Sequence, residues 1–218
     1  MKLKMKTIPA NLIALATVLG LSAGPTRAAG EADFWRWFKQ NEVMLFDFEQ
    51  DQERIFDKLG AQLQRVNPGG LAFEFGPKQN GRREFVISGD GLRKNIPAVE
   101  HLAAAAPDLP RWKIVKFRPR REPFDIGYHG IMVKASTVSA WLHPNGDRVD
   151  VTFLMPGYTA EKHQPYLGIA FLVLDQALGE YDVMTRVGVV DVQAPNVSQP
   201  AVKLEQLPMA FDAWFAKR

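Results

Sequence analysis

Val138-Ser139-Ala140-Trp141-Leu142-His143-Pro144-Asn145-Gly146-Asp147-Arg148-Val149-Asp150-Val151-Thr152-Phe153-Leu154-Met155 is the stretch that decides the fold. Val138 to His143 has strand composition, and Pro144-Asn145-Gly146-Asp147 carries the Asn-Gly pair of a tight hairpin. Val149 to Met155 then returns with Val149, Val151 and Phe153 on one face. Pro156-Gly157 ends that strand, Ala160 to Leu178 predicts a helix, and Val183 to Val192 predicts a long closing strand. The order is hairpin, helix, strand.

The same order precedes it. Leu71, Phe73 and Phe75 share one strand face, Gly76 to Gly81 turns the chain, and Glu84 to Ser88 returns before Gly89-Asp90-Gly91. A helix over Pro97 to Ala106 and a strand over Trp112 to Phe117 complete the set. Phe75-Gly76-Pro77 through Asn80-Gly81-Arg82 echoes His143-Pro144-Asn145-Gly146-Asp147-Arg148. We read a duplicated β-β-α-β unit, residues 71–121 and 130–193, in an α+β fold. The strands are expected to form a mostly antiparallel sheet with helices on one face.

Helices flank the units. Residues 29–70 form the N-terminal helical segment: Phe34, Trp35, Phe38, Leu45, Phe46 and Phe48 recur at three- and four-residue spacing. A second set, Ile55, Phe56, Leu59, Leu63 and Val66, follows the polar joint Glu49-Gln50-Asp51-Gln52 and stops at Asn67-Pro68-Gly69-Gly70. Two helices, or one bent one, are expected. Within Phe34-Trp35-Arg36-Trp37-Phe38 the two indoles lie about 200° apart on a helix, so one of them faces away from the core. Tyr166 to Leu174 is apolar on nearly every face and reads as the central core helix. The last segment, 204–218, holds a helix over Pro208 to Ala216 with Phe211, Trp214 and Phe215 inward.

Residues 1–28 read as an export signal. Lys2, Lys4 and Lys6 precede an apolar stretch from Ile8 to Leu21, and Thr26-Arg27-Ala28-Ala29-Gly30 supplies small residues for cleavage after Ala28. The apolar stretch is shorter than the roughly 20 residues that span a bilayer, so no stable membrane span is expected after cleavage. The expected protein is a single domain over residues 29–218, periplasmic or secreted. Cleavage removes four cations and no acid, which changes 27 basic against 24 acidic residues to 23 against 24. The alkaline balance of the full chain therefore does not point to nucleic acid. With no cysteine, thiol catalysis, thiolate metal sites and disulfides are excluded.

Candidate sites are few. Lys113, Lys116, Arg118, Arg120 and Arg121 place five cations in nine residues. The planar forks of Arg118, Arg120 and Arg121 suit a carboxylate or phosphate, so an anionic ligand or a protein partner is expected there. A solvated sheet edge protected by cations is the plainer account of the same residues. His143, Asp147 and Asp150 flank one hairpin and form the alternative, a hydrolase or metal-dependent site. Asp147 also suits the turn itself, and Asp150 alternates onto the solvent face. His101, His129, His143 and His163 lack metal-ligand spacing, and neither a metal nor a cofactor is expected. There is no Gly-x-Ser-x-Gly elbow, and Ser88-Gly89-Asp90-Gly91 lacks the spacing of a phosphate or calcium loop.

Phe34-Trp35-Arg36-Trp37-Phe38 through Asn41-Glu42, Phe73-Glu74-Phe75-Gly76-Pro77, Arg83-Glu84-Phe85-Val86-Ile87-Ser88 and Gly179-Glu180-Tyr181-Asp182 together resemble a group of bacterial α+β proteins known as a domain of unknown function. The resemblance runs over most of the chain after the signal. It implies one compact domain and transfers no catalytic residue. The expected function is a non-enzymatic binding or protein-interaction module.

Overall fold

A computed structural model of the chain describes residues 27–196 and 199–216. The export signal rests on residues that lie almost wholly outside that range. Contacts gather into two compact units, one ending at Phe117 and the other beginning at Arg118. The domain expected over 29–218 is thus organised as two units, with the boundary at the start of the Pro- and Arg-rich connector.

The first unit opens with three helical pieces, α1 (Arg27–Gln40), α2 (Glu42–Phe46) and α3 (Gln52–Val66). A short 3-10 turn, Phe48–Gln50, lies before α3. A first break falls at Asn41, eight residues before the polar joint, where the Asn41 side-chain amide donates to the Trp37 carbonyl at 2.8 Å; the expected joint itself separates α2 from α3. Strands β1 (Ala72–Phe75) and β2 (Arg83–Ser88), helix α4 (Ile96–Ala104) and strand β3 (Trp112–Lys116) follow. β1 pairs antiparallel with β2, and β2 pairs parallel with β3.

Alternation along these strands places aromatic rings on the helical side. Phe75 lies opposite Phe85, and Phe73 opposite Ile87. Phe38 stacks on Phe85 with centroids 5.1 Å apart, Phe56 meets Phe73 edge-on at 5.0 Å, and Phe75 lies 5.1 Å from Trp112. Each such pair contributes about 0.5–1.5 kcal/mol beyond the area it buries. Trp35 is the inward indole, donating to the Leu102 carbonyl at 2.7 Å, while Trp37 is half-buried. Ser88 to Gly91 is a pinned strand end: Asn95 donates to the carbonyls of Gly70 and Gly89, at 2.6 and 3.0 Å.

The second unit begins with a hairpin of β4 (Ile126–Tyr128) and β5 (Ile131–Val133). β6 (Ser139–Asn145), β7 (Arg148–Leu154), α5 (His163–Leu178), α6 (Glu180–Arg186) and β8 (Val187–Gln193) come next. The chain closes with β9 (Val202–Lys203) and α7 (Leu207–Ala216). The sheet order is β8-β7-β6-β9, with β6 antiparallel to β7 and β9, and β7 parallel to β8. Val149, Val151 and Phe153 are fully buried and join Ile169, Ala170 and Val173 of α5 in one core.

Both units therefore use one pairing scheme: hairpin, crossover helix, then a strand parallel to the second. A crossover returns the chain to the end where the second strand began, so the closing strand has to be parallel. The fold is α+β and mostly antiparallel. The strands are distributed over a three-stranded, a two-stranded and a four-stranded sheet among the described residues, where the sequence suggests one. The closing strand also starts later than Val183. Gly179, at φ +79°, ends α5, and Glu180 opens α6, which holds Val183 to Arg186 in a helix. Among the described residues no helix is long and apolar enough to cross a membrane.

Candidate binding sites

The connector residues belong to the second unit and lie along the C-terminal end of α5. Arg120 donates through Nη1 and Nη2 to both carboxylate oxygens of Asp212, at 2.7 and 2.8 Å. Its Nη2 also meets Asp182 at 2.7 Å, and its Nε meets the Leu178 carbonyl at 2.8 Å. The Asp212 hydrogen bond, opposed by partial burial and reinforced by Asp182, raises the Arg120 pKa. The same bond lowers that of Asp212. Arg118 pairs with Asp175 at 3.3 Å, and its backbone N–H donates to the buried Glu180 carboxylate at 3.0 Å. The Arg121 backbone N–H donates to the Gln176 carbonyl at 2.8 Å. The forks of Arg118 and Arg120 thus hold the connector, the end of α5, α6 and α7 together inside this unit.

His143 and Asp150 lie directly across the β6–β7 pair, and Asp147 sits in the turn between them. Asp150 has a local task. The β7–β8 register shifts between Val149 and Val151, so β8 carries extra chain at Gly188 and Val189. A bulge of this kind leaves a backbone group out of the ladder. Asp150 takes it up, accepting from the Val189 N–H at 2.6 Å and from the Asn145 amide at 2.8 Å. The Asn145 bond, the Val189 bond and the charge of His143 hold this carboxyl below the usual range. Among the described residues no group of three or more His, Cys, Asp or Glu side chains is placed to hold a metal ion.

A different cluster forms in the first unit, at the end of the sheet where β2 and β3 begin. Arg83 occupies an inward position of β2, in phase with Phe85 and Ile87, and its side chain is only 1% exposed. Its guanidinium lies 4.4 Å from the Phe48 ring centroid and 5.6 Å from that of Phe46. Arg111, just before β3, lies 3.6 Å from the Phe46 centroid, and the Lys78 ammonium lies 5.3 Å from it. Three cations converge on one phenyl ring.

Two acids from the α2–α3 link balance part of this charge. Asp47 bonds Lys78 at 2.5 Å, and Glu49 bonds Nη2 of Arg83, with Lys78 3.7 Å away. The Lys78 hydrogen bond lowers the Asp47 pKa against a smaller effect of burial. For Glu49, burial acts upward, but the Arg83 hydrogen bond and the nearby cations carry the net shift downward. Arg111 forms no ion pair of its own among the described residues, and the Nε and Nη1 atoms of Arg83 have no hydrogen-bond partner. Beside Asp47 an open cavity of about 610 Å³ is lined by Asn41, Met44, Asp47, Asp51 and Ile55, among others.

Sequence reasoning missed this cluster because it starts the return strand at Glu84, which leaves Arg83 in the turn. Carrying the alternation of Phe85 and Ile87 back by two residues would have placed a cation on an apolar face. No protein-family model matches the chain, and neither the curated proteins nor the solved structures yield a match.

Proposed function

We propose that the protein is an exported, non-enzymatic binding module that holds an acidic segment of a protein partner, or a small carboxylate, at the Lys78–Arg83–Arg111 cluster. The convergence of these three cations on Phe46 carries this reading. A guanidinium stacked on a ring is held in place and gives up little freedom when its edge engages an anion. The connector residues Arg118, Arg120 and Arg121 are the weaker candidate, since a ligand at Arg118 or Arg120 would have to displace Asp175, Asp182 or Asp212. Export rests on residues 1–28, and the mass of the chain recovered from a secreting host should place its first residue at Ala29.

The test is fluorescence anisotropy of a labelled hexaglutamate peptide titrated with the full chain at low salt. Saturable binding that weakens as salt rises is expected. An anisotropy that stays flat to millimolar protein would overturn the reading.

A further inference from the structure

Resting on that reading, we infer that Glu49 is an intramolecular occupant of the carboxylate site, which an incoming carboxylate replaces. The two partners are unequal in a way that a permanent ion pair need not be. Arg83 is almost wholly buried, while the Glu49 side chain is 52% exposed. Glu49 sits in the Phe48–Gln50 turn between two helices, so it can swing away without unwinding either.

The bond it makes is also incomplete. Glu49 engages Nη2 alone, and the atoms beside it on either edge of the guanidinium, Nε and Nη1, are buried without a partner. A buried donor left unsatisfied is costly, and a carboxylate free to approach in the plane of the fork bonds two arms at once. A ligand carboxylate that takes the place of Glu49 on Nη2 can add a second bond at Nε or Nη1. Arg111 and Lys78 supply charge beside the same ring, and Phe46 and Phe48 form the walls.

An internal occupant lowers the apparent affinity in proportion to the fraction of time that the site is open. For a site open about a tenth of the time, removing the occupant tightens binding roughly tenfold. The experiment compares labelled hexaglutamate binding to the full chain as wild type, Glu49→Gln, Glu49→Asp and Arg111→Gln, with circular dichroism confirming the fold of each. Glu49→Gln should bind roughly tenfold tighter. Glu49→Asp, with its shorter reach, should fall between, and Arg111→Gln should weaken binding. If Arg111→Gln weakens binding but Glu49→Gln leaves it unchanged or weaker, the occupancy of the site by Glu49 is refuted while the site stands. If no form binds, the site itself is refuted.

Discussion

Arg120 meets Asp212 with both arms of its guanidinium, at 2.7 and 2.8 Å, across 92 residues of sequence. The same group reaches Asp182 and the carbonyl of Leu178, which is the last residue of α5. One side chain therefore joins the connector, the end of α5, the first turn of α6 and the closing helix α7. Because the guanidinium is about a third exposed, solvent screens part of this attraction. The geometry is nonetheless bidentate and networked, which is the arrangement in which such pairs stabilise measurably.

Arg120→Met should lower the unfolding free energy by about 1–2 kcal/mol in urea. Arg120→Lys, with charge but no fork, should recover less than half of that. A melt in which the two variants match wild type would show the clasp to be energetically idle.

Acid should weaken the same unit. The Asp212 carboxyl is held below its ordinary value by the Arg120 hydrogen bond, and that of Asp150 by Asn145 and the Val189 N–H. A carboxyl whose folded pKa is depressed contributes stability that is present above its unfolded value, near 3.9, and lost as pH falls through the folded value. The melting temperature should thus decline below about pH 4. In Arg120→Met the decline should be shallower, since Asp212 loses the hydrogen bond that is the largest cause of its depression and keeps only the weaker pull of Arg186.

Gly179 holds a backbone at φ +79° that other residues rarely adopt. A β-carbon there would stand 3.3 Å from Cγ and N of Arg120 and 3.4 Å from the Arg118 carbonyl oxygen. Gly179→Ala should cost about 1–3 kcal/mol. The loss should appear in the melting of the folded chain, and its absence would mean that the connector does not pack tightly on this turn.

At the cation cluster, Arg111 distinguishes stacking from charge. Arg111→Lys keeps the charge but loses the planar contact with Phe46, which lies 3.6 Å away. Arg111→Gln should weaken hexaglutamate binding about tenfold, in keeping with the loss of one charge-assisted contact, and Arg111→Lys should remain several-fold weaker than wild type. Equal affinity for wild type and Arg111→Lys would reduce the site to simple charge.

The fold was largely legible because both its signals are local. Alternation at Phe73, Phe75, Val149, Val151 and Phe153 marks inward strand faces, and all five are buried. The Asn145-Gly146 turn sets the hairpin, with Gly146 at φ +58°. What escaped depends on partners far apart in sequence. Arg118 and Arg120 looked like an outward basic loop, since nothing near them announces that Asp175, Asp182 and Asp212 arrive from helices more than 50 residues on. Asp150 does lie on the solvent side of its strand, as alternation indicates, but its task was hidden because the bulge it serves lies on another strand. Phe46, the hairpin residues Lys78 and Arg83, and Arg111 come from three separate stretches and meet only once the sheet is formed.

The most direct measurement is a 15N–1H correlation spectrum of the full chain titrated with hexaglutamate. Signals from Phe46, Glu49, Lys78, Arg83 and Arg111 should shift together and saturate, while those of Arg118, Arg120 and Arg121 stay in place. Shifts confined to the connector, or none at either location, would contradict the account.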